Sequence, residues 1–250
     1  MLEIQDHGPI RTIRLARPPV NALNPPLLDA LGHAVGRAPA EGARGLVLTG
    51  SGGRFSAGLD VAALAAVDAV GLDAFLVSFL GCLEALATSR IPIVAAVNGA
   101  SPAGGAVLAL YCDRRVMARG EFRIGLNEVQ VGLYPGPLIH DVLVRIVGAR
   151  LAGELLATGA LLSPAEALAT GFVDELAEPA DVEARARAWL EQVLALPAHA
   201  YQATRALVRR DLVELMQGAS AADRALLAAA WGGPEPRAAI AALVARLARR

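Results

Sequence analysis

Hydrophobic positions in this chain switch between three spacings, and the switches mark out its elements. Pro9 to Leu15 sets Ile10, Thr12 and Arg14 against Arg11, Ile13 and Leu15, a β-branched alternation that predicts a strand without settling which face is buried. From Leu27 the period becomes helical, through Leu28, Leu31 and Val35, with Asn24 placed as N-cap and Pro25 in the first turn. Unbroken apolar runs at Gly45–Thr49 and Ile93–Val97 predict strands buried on both faces. Between them Phe75, Leu76, Phe79, Leu80, Leu83 and Leu86 share one side of a helix expected over Asp73–Ser89. A helix at Ala106–Tyr111 and short strands at Arg115–Met117 and Phe122–Ile124 follow. Strands alternating with helices predict an α/β layer structure with parallel strands and right-handed crossovers.

Beyond Pro137 the pattern is mostly helical: Leu138–Val147, Arg150–Thr158, Asp181–Leu196, Ala198–Met216, Ala219–Ala230 and Pro236–Arg249, with one short strand at Phe172–Leu176. Ser163-Pro164-Ala165-Glu166 reads as a capping box, and Gly171 ends that helix. The chain is expected to divide into a core over residues 1–195 and a helical region over 196–250. A Leu- and Ala-rich tail after a domain that already has its sheet either covers something, its own active site or another subunit, or is simple core packing.

At 250 residues, 55% hydrophobic and 4% aromatic, the chain can bury one sizeable core. The N-terminal Met-Leu-Glu-Ile-Gln-Asp-His lacks the order of a signal peptide, and no run reaches about 18 uncharged apolar residues. The expectation is a soluble, cytoplasmic protein with no membrane partner. A formal net charge of −1 argues against nucleic-acid binding by bulk electrostatics. All 23 basic residues are arginine, which excludes Schiff-base and P-loop chemistry because both need lysine. Cys82 and Cys112 read as reduced core thiols; His7, His33, His140 and His199 are scattered, and no metal site is expected.

The chemistry concentrates in Ile91–Pro137. A buried strand runs through Asn98 and a small-residue turn into Gly104-Gly105 and a helix, an arrangement that aims backbone N–H groups at a ligand. Gly125–Gly132 then sets Glu128 in a loop among apolar residues. Free N–H donors and a lone carboxylate suggest proton transfer next to a polarised carbonyl. The glycine-rich Gly50–Asp60 segment is a weak signal alone, and Val20-Asn21-Ala22 reads as a plain strand-to-helix connection.

Taken together, Phe55-Ser-Ala-Gly-Leu-Asp60, Ala96-Val-Asn-Gly with Gly104-Gly105, Cys112-Asp113, and Glu128 with Gly132 and Pro135-Gly136 resemble the crotonase (enoyl-CoA hydratase/isomerase) superfamily over about residues 10 to 180. Asn98-Gly-Ala-Ser-Pro-Ala-Gly-Gly, Ile124-Gly-Leu-Asn-Glu-Val-Gln-Val-Gly and Ser163-Pro-Ala-Glu-Ala-Leu resemble, more narrowly, the mitochondrial-type Δ3,Δ2-enoyl-CoA isomerases. The resemblance implies a spiral of ββα units, a C-terminal helical trimerisation region giving a homotrimer or dimer of trimers, and an acyl-CoA substrate with no further cofactor. It implies oxyanion-hole N–H groups at Leu59 and Gly104, with Gly104 mattering through its dihedrals and missing side chain. It places substrate contacts at Ala22, Ala57, Gly58, Leu59, Asp60 and Gly104. The family's hydratases use two glutamates to hold water; here the first falls on Val107 and the second on Glu128, which implies an isomerase working with one base. Walls of Val107, Leu126 and Val129 are expected to raise the Glu128 pKa. Asp60 is expected to cap a helix, and Arg17 and Arg54 are candidates for the CoA phosphates, while Tyr134 either lines the acyl pocket or packs. The alternatives are another crotonase-fold enzyme (dienoyl-CoA isomerase, weak hydratase or thioesterase) and a non-catalytic acyl-CoA-binding scaffold.

Overall fold

The computed structural model describes residues 1–219 and 221–249. Its main sheet runs, in spatial order, β1 (Leu2–His7), β2 (Ile10–Leu15), β3 (Gly45–Gly50), β4 (Ile93–Val97), β6 (Arg114–Ala118) and β8 (Glu175–Ala177). The β1–β2 pair is antiparallel and every other pair parallel, with Leu15 opposite Gly50 and Leu46 opposite Ile93. The face of β2 that alternation left open turns out to be two faces. Ile13 and Leu15 join the main core, whereas Ile10 joins a smaller one with Val47, Val94 and Val116 under Val182, Ala186 and Leu190 of α8 (Val182–Leu194). Cover on both sides is why β3 and β4 read as unbroken apolar runs.

On the main-core side lie α1 (Pro25–Arg37), α3 (Ala69–Ala87) and α4 (Gly104–Leu110). Asn24 caps α1 by accepting from Leu27 N at 3.1 Å, and Leu27, Leu28, Leu31 and Val35 form its buried stripe. Helix α3 starts earlier than its periodicity suggests, because Asp68 accepts from Gly71 N and opens it there. Among the described residues α3 is the one helix long and apolar enough to cross a membrane, with a mean hydropathy of 1.8; here it packs against α1 and buries Phe75, Leu76, Phe79 and Leu83.

A second layer holds the loops at the strands' C-terminal ends. Strand β5 (Ser101–Pro102) pairs in parallel with β7 (Ile124–Gly125), and single bridges join Leu23 to Leu59, Arg54 to Ala100 and Ile124 to Leu162. The ribbon brings together the turns that lead to residues 104 and 128, and the Leu23–Leu59 bridge joins the other two segments.

The helical half comprises α5 (Pro137–Val147), α6 (Ala149–Thr158), α7 (Pro164–Ala169), then after α8 the tail α9 (Ala198–Val208), α10 (Arg210–Gln217), α11 (Ala221–Gly232) and α12 (Pro234–Leu247). The Ser163–Glu166 capping box is present on α7. The stretch Ala198–Met216, expected as one helix, breaks at Arg209, whose guanidinium turns inward to the carbonyls of Leu86, Ala87 and Tyr111. Ser220, inside the expected Ala219–Ala230 helix, lies outside the described residues. The tail packs on its own chain: α11 against α3, and α12 against both α2 (Val61–Ala66) and the one-turn 3₁₀ helix Glu128–Val131.

Candidate active site

Two backbone N–H groups meet where the first and second loops touch. Leu23 N donates to Gly58 O at 2.8 Å and Asp60 N donates to Leu23 O at 2.8 Å. In such a bridge the intervening residue presents its own N–H to the opposite side, so Leu59 N–H turns away from Leu23. Gly104 is the first residue of α4, where a helical N–H has no partner within the helix. The two approach closely: a β-carbon on Gly104 would lie 3.2 Å from Leu59 N and 3.3 Å from Leu23 Cδ1. Gly104 therefore matters through its missing side chain. Its dihedrals, expected to matter as well, are not in the positive-φ region, which is held by Gly58, at φ +86°, and Ala103, at φ +48°.

The first loop owes its shape to Asn21, which sequence reasoning left as a plain connection. Asn21 adopts φ +52° and is 1% exposed. Its Nδ2 donates to the carbonyls of Ser51 (3.0 Å), Arg54 (3.0 Å) and Phe55 (3.3 Å), while its Oδ1 accepts from Arg17 N and Ser51 Oγ. Ser56 Oγ returns a bond to Asn21 O at 2.7 Å. An asparagine between a strand and a helix is the signal that was available, because this residue tolerates left-handed backbone and bonds neighbouring peptides. Asn21→Ala leaves buried carbonyls unpaired, at about 1–3 kcal/mol. The expected result is a Tm lower by about 2–12 °C together with reduced turnover, read by calorimetry and steady-state assay.

Glu128 opens the 3₁₀ helix two residues after Leu126 and is 5% exposed, the only carboxylate residue so buried among the described residues. Its Oε2 has no hydrogen-bond partner. Burial pushes its pKa up to about 7, partly opposed by a backbone hydrogen bond. Val107 and Leu126 are fully or nearly fully buried, but Val129 is not a wall: it is 47% exposed and reaches towards Gly159. The 3₁₀ helix places residue 129 on the outward side. Ala103 N donates to Gly125 O at 2.8 Å, so the turn into Gly104 and the turn into Glu128 leave the same end of the β5–β7 ribbon. A buried carboxyl with one unpartnered oxygen, on a turn that leaves the same ribbon as a backbone donor, is an arrangement for moving protons beside a carbonyl.

Residues 5–232 match the Enoyl-CoA hydratase/isomerase family. The chain belongs to this family. The mouse mitochondrial enoyl-CoA delta isomerase 1 is 36% identical over 212 residues, 83% of this chain and 73% of that one. A putative enoyl-CoA hydratase of Thermus thermophilus is 40% identical over 177 residues, 69% of each chain. The crystal structure of human mitochondrial Δ3,Δ2-enoyl-CoA isomerase superposes with a TM-score of 0.94 at 28% identity, covering 99% of this chain and 98% of that one. The fold is the crotonase-like spiral with its C-terminal helices, and the chain is an enzyme of the enoyl-CoA hydratase/isomerase family.

Around this family's two loops the remaining residues sort by contact. Asp60 accepts from Ala63 N at 3.0 Å, capping α2, and takes Arg17 Nη2 at 2.6 Å. Arg17 also donates to Ala22 O at 2.9 Å, so its guanidinium ties the two loops together. Arg54 is exposed beside the ribbon, and Ala57 is exposed with its N–H bonded to Val20 O. A cavity of about 90 Å³ lies among Leu64, Leu72, Trp231 and Ile240, between α2, α3 and the tail, and Trp231 Nε1 donates to Tyr134 O at 2.7 Å. Tyr134 itself is 45% exposed. Cys82 and Cys112 are free and buried, and burial pushes both thiols up, away from reactive thiolate. Among the described residues no group of three or more His, Cys, Asp or Glu is set to hold a metal.

Proposed function

We propose that the enzyme is a Δ3,Δ2-enoyl-CoA isomerase that works with one base. Leu59 and Gly104 N–H hold the thioester oxygen, and Glu128 as carboxylate removes a proton from C2 of a 3-enoyl-CoA. The electron pair spreads over the thioester oxygen, C2 and C4 as a dienolate, whose growing oxygen charge the two N–H groups stabilise. The same carboxyl then delivers the proton to C4, leaving trans-2-enoyl-CoA and a regenerated carboxylate. Substrate carbonyl contacts come from Leu59 and Gly104, with Ala22, Ala57, Gly58 and Asp60 bordering the CoA side.

The observation that carries this reading is a buried Glu128 whose Oε2 has no hydrogen-bond partner, with a fully buried valine, Val107, on α4 at the position where the resemblance puts the hydratases' other glutamate. A second carboxylate there would orient water; a valine does not. The relative described as a putative hydratase favours water addition as the competing reading. Incubation with 3-hexenoyl-CoA and, separately, crotonyl-CoA decides between them. Rapid formation of conjugated enoyl-CoA from the first is expected, and fast hydration of the second with no isomerisation would overturn the proposal.

A pH profile follows from the same carboxyl. Because the base must be ionised and its pKa is raised to about 7, kcat/KM is expected to climb as pH rises through about 7 and then level. A rate already maximal near pH 5 would show that a different group limits the reaction.

A further inference from the structure

We propose that Ala103 is a positioning residue whose methyl group spaces the two oxyanion donors; the role rests on reading Leu59 and Gly104 N–H as that pair. Only Asn21 and Ala103 among the described non-glycine residues have positive φ. Ala103 sits at φ +48°, ψ −126°, a region glycine enters freely and alanine does not. Both of its peptide groups are pinned, since its N–H donates to Gly125 O at 2.8 Å and its C=O accepts from Val107 N at 3.0 Å. Its ψ angle sets the direction of the next N–H, which is that of Gly104.

Relief of this strain would need only a glycine, so the side chain must be judged by what it touches. A β-carbon on Gly58 would lie 3.1 Å from Ala103 Cβ, 3.0 Å from Gly104 N and 3.1 Å from Pro102 O. The Ala103 methyl therefore packs against the flank of Gly58, the residue immediately before Leu59. One loop carries each donor, and this methyl lies at the contact between them, against Gly58. Strained backbone held by surrounding contacts is the usual form of a preorganised site. Without the methyl, the Gly58–Leu59 peptide can close on α4 and the spacing of the two donors shifts.

The test compares A103G and A103S with wild type and E128Q, using 3-hexenoyl-CoA turnover and thermal unfolding. A103G is expected to unfold at the same or a higher temperature, with kcat lower by about tenfold, part of the 10²–10³ lost when a donor is removed, and KM within about twofold. A103S keeps the β-carbon and is expected to stay within about threefold of wild type. A strained methyl with a merely structural role would leave kcat unmoved in A103G. Wild-type turnover with E128Q silent supports the site reading on its own terms; A103G as fast as wild type then overturns the spacer role alone. Wild-type protein that isomerises no 3-enoyl-CoA overturns both.

Discussion

The Glu128→Gln enzyme is expected to lose about 10²–10⁴-fold in turnover of 3-hexenoyl-CoA while binding CoA thioesters as before. The amide keeps the shape of the carboxyl but neither takes a proton from C2 nor returns one to C4. Its stability should change in a way that depends on pH. Glu128 is raised from 4.5 to about 7 in the folded protein, so the stabilisation linked to its protonated form is fully present below the unfolded value and is lost as pH rises through about 7. The shift corresponds to about 3 kcal/mol. Urea unfolding at about pH 5 and about pH 9 should therefore show the variant gaining about 3 kcal/mol relative to wild type on the alkaline side. A variant with undiminished turnover would remove Glu128 from its role, and stability curves that run parallel across that range would show that its carboxyl is not held at a raised pKa. An enzyme that is more stable without its base is one whose site is held against folding for the sake of chemistry.

How much of this was legible depends on what each feature is made of. Strands β3 and β4 are readable because burial on both faces leaves nothing polar in them, and α1 because Asn24 and Pro25 announce its start. Strand β1 escaped: it is an exposed edge with only Leu2 and His7 half-buried, so no alternation marks it. The break at Arg209 is tertiary, imposed by three carbonyls at the ends of α3 and α4 that no local pattern foretells. In the site, Glu128 stood out as a lone carboxylate among apolar neighbours, and its burial agrees, although Val129 faces outward. Leu59 was visible only through resemblance, because a backbone N–H leaves no signature in its residue type. Asn21 and Ala103 stand out by their positive φ, and an alanine in such a turn looks like any other alanine until the backbone is seen.

The same chain also supplies its own roof. Gly132 at φ +75° would place a β-carbon 2.4 Å from Ala239 Cβ, and Gly136 would meet Leu227 at 2.6 Å. These glycines let α11 and α12 settle directly over the loop carrying Glu128, with Arg237 Nη1 fixed to Val67 O at 2.9 Å beyond α2. Close cover of this kind keeps water from the carboxyl and so sustains its raised pKa. Among the described residues, then, α11 and α12 of the tail pack over the loop that carries Glu128.

Replacing Asp113 with alanine is expected to destabilise the protein by about 3–5 kcal/mol, or about 6–20 °C in Tm. Its two oxygens take Arg205 Nε and Nη2 at 2.8 and 2.9 Å, Arg209 Nη1 at 3.3 Å and Ile93 N at 2.8 Å. The two arginine side chains are 9% and 5% exposed, and burial already disfavours the charge on Arg209. Without the carboxylate they face each other as uncompensated buried cations, and the cost of that arrangement exceeds what the ion pairs themselves contribute. Asp113 precedes β6, at the end of the sheet opposite the loops of Leu59, Gly104 and Glu128, and its arginine partners belong to α9 and the α9–α10 break. Loss of the node should therefore loosen the tail's first helices without touching Leu59, Gly104 or Glu128. Folded Asp113→Ala enzyme, assayed well below its Tm, should keep kcat within about twofold of wild type, while Asp113→Asn, which retains acceptors but not charge, falls between in stability. A Tm within about 2 °C of wild type for the alanine variant would show that water reaches the two arginines and that the node is not buried in solution.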